Sequence, residues 1–496
     1  MLPPKWILLA LFLVASCQSN DLTSTQFDRV PRGPAHFYLS PEGDDGNSGT
    51  SKDSPWQSLT YAIAHMSGPS VLTMLEGEYS TATVDIWESE PLDIVASGEV
   101  VVRPQIGSEE LFHVASSNPI NFYGIHFKGD GIAFCLYTRG GERLIRDCSF
   151  SGFSDCCIQV DNSVELQVVD CRFGSADSSM AACALSMSNA PGSQVVDNQF
   201  YCEGEQDVVR IWHSGDTIVR NNYFGSPSSP LLVDGWALRA QEGSNITVKD
   251  NHFWMNMGNA LGVWATQASQ TGCRITGNQI SYSITPEYGY GICVGVENPQ
   301  IHRLDEPLVS DNLVVLPQSD LSYFHNLFVG YCISPLVRGN ETHGGGYGLG
   351  IKGNTDGLVE LNHIYYPALQ CIIDKAGSYC HFLSNEMYPQ AGKAAARVTN
   401  DIEAGVPLDI SLWNSNGFHL EGINLAFVVD TPVNIIAQGV DSDDNRYYLE
   451  ESGSPLFRVN GIHYNLDEMQ REFGWDQASE FKPLDLPDPN NAADRK

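Results

Sequence analysis

VVDNQF, residues 195–200, decides the fold because the chain keeps rewriting it. Upstream stand LIRDCSF (144–150) and QVVDCRF (167–173). Downstream come IVRNNYF (218–224), TVKDNHF (247–253), RITGNQI (274–280) and LVSDNLV (308–314). The series fades through LVRGNET (336–342), LVELNHI (358–364) and FLSNEM (382–387). Counted from Asp147 through Asp170, Asp197, Asn221, Asp250 and Gly277, the copies lie 23, 27, 24, 29 and 27 residues apart. A near-constant period in this range means a solenoid, each repeat packing only on its neighbours.

The copies are rich in β-branched residues, and no helical periodicity separates them. Each follows a second short strand: GIAFCLY (131–137), CCIQV (156–160), DVVRIW (207–212), GWALRA (235–240), GICVGV (291–296) and GLGIK (348–352). Strands joined by corners and repeating about every 25 residues coil into a parallel β-helix. A leucine-rich repeat would need leucine spacing that is absent. Asparagine at the corner tolerates left-handed backbone and can bond its amide to the backbone. Stacked amides can also bond along the solenoid axis, as in cross-β ladders. Phe150, Phe173, Phe200, Phe224 and Phe253, two places later, are expected to point inward and stack.

The 496 residues carry 27 Lys+Arg against 60 Asp+Glu, a net charge of −33. That field argues against nucleic acid as a partner. The start, MLPPKWILLALFLVASC (1–17), has a basic residue followed by an apolar run too short to span a bilayer as a mature helix. Its end, VASC, resembles the bacterial lipoprotein signal, which implies lipidation at Cys17 and anchoring at the outer membrane or cell surface. An ordinary cleaved signal peptide, giving a secreted or periplasmic protein, is the alternative. Twelve cysteines follow. Cys148 and Cys171 occupy the positions of Asn198, Asn222 and Asn251, so buried free thiols are expected rather than a disulfide framework.

The segment FYLSPEGDDGNSGTSKDSPWQSLTYAI (37–63) and the tail DNRYYLEESGSPLFRVNGIHYNLDEMQREFGWDQASEF (444–481) resemble the opening and closing segments of exported right-handed parallel β-helix proteins of the pectin-lyase-like superfamily. The resemblance implies an all-β, right-handed, single-stranded parallel β-helix with short capping helices, near Ser58–Met66 and Leu466–Phe473. The expected organisation is a signal segment (1–17), a linker (18–36), a first strand, cap helix and first coils (37–120), the repeats (121–400), last coils and C-terminal cap (401–485) and a disordered tail (486–496). A monomer is expected.

A parallel β-helix has no natural pocket. Its sites lie along one outer sheet face, where side chains from successive coils form columns that suit long polymers such as polysaccharides. Registering coils by their asparagines places Arg239 over Arg210 and Lys375 over Lys352. Like charges about 5 Å apart repel unless an anion sits between them. Trp212, Trp236, Trp264 and Tyr290 are candidate sugar platforms. The stretch HGGGYGLGIKGNTDG (343–357) sets Lys352 at a strand end, without the spacing of a phosphate loop.

These residues suggest β-elimination on a uronate polysaccharide. Lys352 or Lys375 is the candidate base, and Arg210 and Arg239 the carboxylate clamps. A Ca²⁺ ion on Asp207, Asp234 or Asp374 would share that work, as the resemblance implies. A glycoside hydrolase would instead pair Asp207 with Asp234, or Glu297 with Asp374. The third possibility is a non-catalytic glycan-binding or adhesive surface protein.

Overall fold

The computed structural model describes residues 34–163, 165–175, 183–267, 269–295, 303–318, 322–375, 379–399, 411–420, 425–430, 440–449 and 456–483. Cys17, Glu297, the linker up to residue 33 and the tail lie outside them.

Three parallel stacks of short strands run the length of the chain, which we call sheets A, B and C. Sheet A climbs from Val84–Trp87 through Cys156–Ser163, Val209–Trp212, Tyr290–Gly295, Tyr347–Lys352 and Gln370–Lys375 to Phe457–Val459. Sheet B begins at Ala35–Leu39 and sheet C at the second half of Ser70–Thr81. Each coil passes through A, B and C in turn and pairs in register with the coils above and below. The fold is the parallel β-helix expected from the repeats, all-β and right-handed as the superfamily resemblance implies.

The corner between sheets B and C explains the recurring motif. The side-chain amide of each asparagine donates to the next one's Oδ1, from Asn198 through Asn222, Asn251, Asn278, Asn312, Asn340, Asn362, Asn385 and Asn416 to Asn445, at 2.9–3.1 Å. Each Oδ1 also accepts the backbone N–H of the asparagine before it, as Asn312 does from Asn278 at 3.0 Å. The series therefore does not fade after Asn385. The left-handed conformation falls one residue earlier than expected, on Asp197, Asn221, Asp250, Gly277, Asp311, Gly339, Leu361, Ser384, Ser415 and Asp444. That residue turns the corner and aims the following amide along the axis. Asp476 closes the ladder: it accepts the Asn445 amide and the hydroxyls of Ser442, Ser479 and Tyr447, and burial raises its carboxyl above the ordinary range.

Inside the corner, Phe127, Phe150, Phe173, Phe200, Phe224 and Phe253 stack with centroids 4.5–5.2 Å apart. A single buried core runs the length of the coil. Cys148 and Cys171 stand at the head of the ladder, where the Cys171 N–H donates to Asn198 Oδ1. The twelve cysteines after Cys17 are free thiols. Burial pushes most of them up, Cys273 to about 11.

Helix α1, Leu59–His65, covers the N-terminal end and buries Leu59 and Ala62. Asp45 in the preceding loop accepts the backbone N–H groups of Gln57 and Ser58, both at 2.9 Å. Helix α2, Leu466–Phe473, starts with a reciprocal capping box between Asn465 and Glu468 and ends on left-handed Gly474. Among the described residues no helix is long and apolar enough to cross a membrane.

Candidate functional site

The outer face of sheet A changes from coil to coil. One outward column reads Tyr137, Gln159, Ser186, Arg210, Arg239, Gly262, Cys293, Phe328, Gly350, Ile373, Arg397. The next reads Trp212, Gln241, Trp264, Gly295, Gly330, Lys352, Lys375. Arg210 pairs with Arg239, and Lys352 with Lys375, as counting from the asparagines requires. Both pairs lie on one face, four strand spacings or about 19 Å apart.

A carboxylate separates the two guanidinium groups. Asp207, 4% exposed, accepts Arg239 Nη2 at 2.6 Å, Arg210 Nε at 3.3 Å and the Trp236 backbone N–H at 3.0 Å. Burial lowers the Arg239 pKa, and Asp207 opposes that shift. Asp207 is thus an internal anion that holds two arginines and fixes the strand carrying Trp236. Asp234 is exposed on that strand. Asp374 is buried and accepts the Ser411 hydroxyl at 2.8 Å. The three carboxylates do not converge, and among the described residues no three His, Cys, Asp or Glu side chains cluster as metal ligands. The residues present do not fit a resident Ca²⁺ ion.

Trp236, Trp264 and Tyr290 come together. The tryptophan rings meet edge to face at 4.9 Å, and Trp236 is parallel to Tyr290 at 6.2 Å. Both indoles fold over Gly262, where a Cβ would collide with the Trp264 ring. Trp212 stands apart, two coils before Trp264 in the same column.

Beyond Tyr290 the row continues through residues that sequence reasoning missed. His325 stacks on Tyr290 at 5.8 Å and on Tyr347 at 4.5 Å. These strands break strict alternation: two consecutive buried residues, Asn326–Leu327 and Gly348–Leu349, follow the outward ring. Gly350 makes room for the imidazole, since a Cβ there would stand 2.5 Å from His325 Nδ1. Burial, reinforced by Lys375, drives the His325 pKa down to about 3, so the ring is neutral near pH 7. The Lys375 ammonium lies 5.5 Å from the Tyr347 ring, and that of Lys352 5.5 Å from Tyr331. Arg397 follows on the next coil and pairs with Asp430 at 2.9 Å.

Two further tyrosines stand at the corner leading into this stretch. Tyr288 and Tyr323 stack at 5.6 Å, and are 64% and 52% exposed. Their loops are joined by the Tyr323 N–H donating to the Glu287 carbonyl at 2.8 Å. Exposed parallel aromatics beside a row of cations make a surface suited to a long polar ligand with flat apolar faces.

Residues 123–314 match the family described as right-handed β-helix region. No curated protein matches the sequence. Among solved structures, the surface adhesin PfbA of Streptococcus pneumoniae is similar at 13% identity over 75% of this chain and 87% of its own, with a TM-score of 0.42. A mannuronic acid specific family 6 polysaccharide lyase from human gut microbiota is similar at 11% identity over 93% of both chains, TM-score 0.40. A tailspike protein of bacteriophage CBA120 is similar at 10% identity over 91% of this chain and 62% of its own, TM-score 0.41. The match covers the middle of the chain, and the stacked coils with their asparagine ladder show the right-handed parallel β-helix fold across the described residues.

Proposed function

We propose that this is an exported, surface-located carbohydrate-active protein that cleaves a uronate-containing polysaccharide by β-elimination on the outer face of sheet A. The observation that carries the reading is the pair Lys352 and Lys375 stacked on consecutive coils, at the end of an aromatic track, in a chain of net charge −33. Export rests on the N-terminal segment, and the Cys17 lipid anchor belongs to the same proposal.

In the reaction, a base removes the proton from the carbon next to the uronate carboxylate. The electron pair forms a carbon–carbon double bond, the bond to the leaving sugar's oxygen breaks, and that oxygen takes up a proton. Cations beside the carboxylate make the first proton acidic. One lysine of the Lys352–Lys375 pair supplies that charge, and the other is the base. No step is assigned to Ca²⁺. The Asp207–Asp234 form of the hydrolase alternative loses support because Asp207 is buried beneath two guanidinium groups; the Glu297–Asp374 form includes Glu297, which lies outside the described residues.

The test is incubation with a panel of uronate polysaccharides, with and without Ca²⁺, following ultraviolet absorbance of the unsaturated product. A rise abolished in Lys352→Ala or Lys375→Ala supports the proposal. New reducing ends on neutral glycans without absorbance would establish hydrolysis instead. Binding without turnover of any glycan would leave a surface binder.

A further inference from the structure

Where the middle strands of sheet A begin, side-chain oxygens and aromatic rings alternate from coil to coil. Asp207 and Trp236 stand two residues ahead of Val209 and Leu238, which pair in register. Trp236 pairs with Asn259. Asn259 and Tyr290 stand two residues ahead of Leu261 and Ile292, which pair in turn. The row therefore reads Asp207, Trp236, Asn259, Tyr290 on four consecutive coils.

Each oxygen holds the next coil's ring through the main chain. Asp207 Oδ1 accepts the Trp236 backbone N–H at 3.0 Å, and Asn259 Oδ1 accepts that of Tyr290 at 2.9 Å. The regular ladders begin two residues later, so for both N–H groups a side-chain oxygen takes the place of a strand carbonyl. A glycine precedes each ring and admits that oxygen. A Cβ at Gly235 would stand 2.8 Å from Asp207 Oδ1, and one at Gly289 2.8 Å from Asn259 Oδ1. The Trp236 carbonyl accepts the Val208 N–H at 2.9 Å, which pins the residue at a second point. Asp207 is itself held by Arg239 at 2.6 Å and Arg210 at 3.3 Å. A ring already fixed in direction binds a sugar without first having to be ordered.

We infer that Asp207 and Asn259 are positioning residues for glycan binding: each aims, through a backbone N–H one coil on, an aromatic ring that carries a sugar. This rests on the polysaccharide reading above and deepens it. Tyr290 lies two strand spacings, about 10 Å, from the coil of Lys352. Losing its aim should therefore weaken binding and spare the chemical step.

Steady-state kinetics by ultraviolet absorbance tests the inference. The probe is the best substrate among polymannuronate, polyguluronate, polygalacturonate and hyaluronate. Asn259→Ala is expected to raise KM about fivefold with kcat within about twofold, and Asn259→Asp, which keeps the acceptor oxygen, to restore most of the loss. The far-ultraviolet exciton band of the Trp236–Trp264 pair reads the other ring. It should fall in Asp207→Ala and persist in Asp207→Asn, which keeps an oxygen for the Trp236 N–H. Thermal melting shows which variants are folded, and if Asp207→Ala is not, the Asn259 variants decide. An unchanged KM in folded Asn259→Ala, or an unchanged band in folded Asp207→Ala, overturns the inference and leaves the lyase reading standing. No turnover of any of the four polymers by the unsubstituted protein overturns both.

Discussion

The corner between sheets B and C and the outer face of sheet A are built by the same coils and obey opposite rules. At the corner the same residue type returns, and each asparagine makes the bonds its predecessor made. On sheet A the outward residues are arginine, glycine, cysteine, phenylalanine, glycine, isoleucine and arginine in one column. Repetition marks positions that serve the solenoid, since every coil faces the same packing problem. Departure from repetition marks positions released from that problem. Outward aromatics do not by themselves make a site. His343, Tyr365, Tyr388, His419 and Tyr448 stack at 4.0–4.7 Å on sheet C, and each ring occupies its neighbours' faces. Glu386 there is held by His419 at 2.7 Å and Arg446 at 3.2 Å.

The comparison breaks most visibly at the ladder. Asn312→Leu removes the acceptor of the Asn278 amide and N–H and the donor to Asn340 and the Ile275 carbonyl. Several buried polar groups are stranded, at about 1–3 kcal/mol each, so a loss of about 4 kcal/mol is expected in chemical denaturation. Activity per folded molecule should not change. A loss of turnover without a loss of stability would erase the distinction between the two regions.

The double variant Lys352→Ala, Lys375→Ala makes the opposite cut. Product formation should fall by at least about a hundredfold, the scale of losing groups that stabilise developing charge, while the melting midpoint holds. Parallel loss of both would return the lysines to the fold.

His325 lies between these extremes, since it stacks in the site but is buried like a core residue. Its folded pKa of about 3 is below the unfolded value near 6.5. The unfolded chain therefore binds the extra proton between those values, and stability falls as the pH drops through that window. At pH 5 this one group should remove about 2 kcal/mol relative to neutral pH. His325→Phe keeps a ring in the stack and should lose about that much less on acidification, as measured by denaturant melts at the two pH values. An unchanged acid dependence would mean that His325 is not the buried neutral ring described.

The repeating region was legible in the sequence and the released region only in part, for the same reason. Register counts from the asparagines, which places Arg210 beside Arg239 and Lys352 beside Lys375 as the strands do. Asn416 and Asn445 are not legible as ladder members because no motif copy such as VVDNQF surrounds them; their corners read NSNGF and DDNRY. Tyr347 and His325 were hidden by the two consecutive inward residues that follow each, which defeat a reading based on alternation. Asp207 reads from sequence as a Ca²⁺ ligand or hydrolase carboxylate because pairwise register shows which cations stack but not which anion lies beneath them. Tyr288 and Tyr323 sit on loops of unequal length, where no repeat reports position.

The finest test lies within the ladder itself. Leu361 carries φ +55° at the corner position that holds aspartate, asparagine, glycine or serine on neighbouring coils. Left-handed backbone costs an ordinary side chain about 1–2 kcal/mol, and much less for asparagine, whose short amide bonds locally. Leu361 is 41% exposed, so its replacement forfeits little burial. Its N–H donates to the Leu383 carbonyl at 3.1 Å, a backbone bond that any residue but proline preserves. Leu361→Asn should therefore raise stability by about 0.5–1 kcal/mol and leave glycan binding untouched. A destabilised variant would mean that the leucine side chain makes contacts worth more than the strain it bears, and that even the corner contains a position released from the common rule.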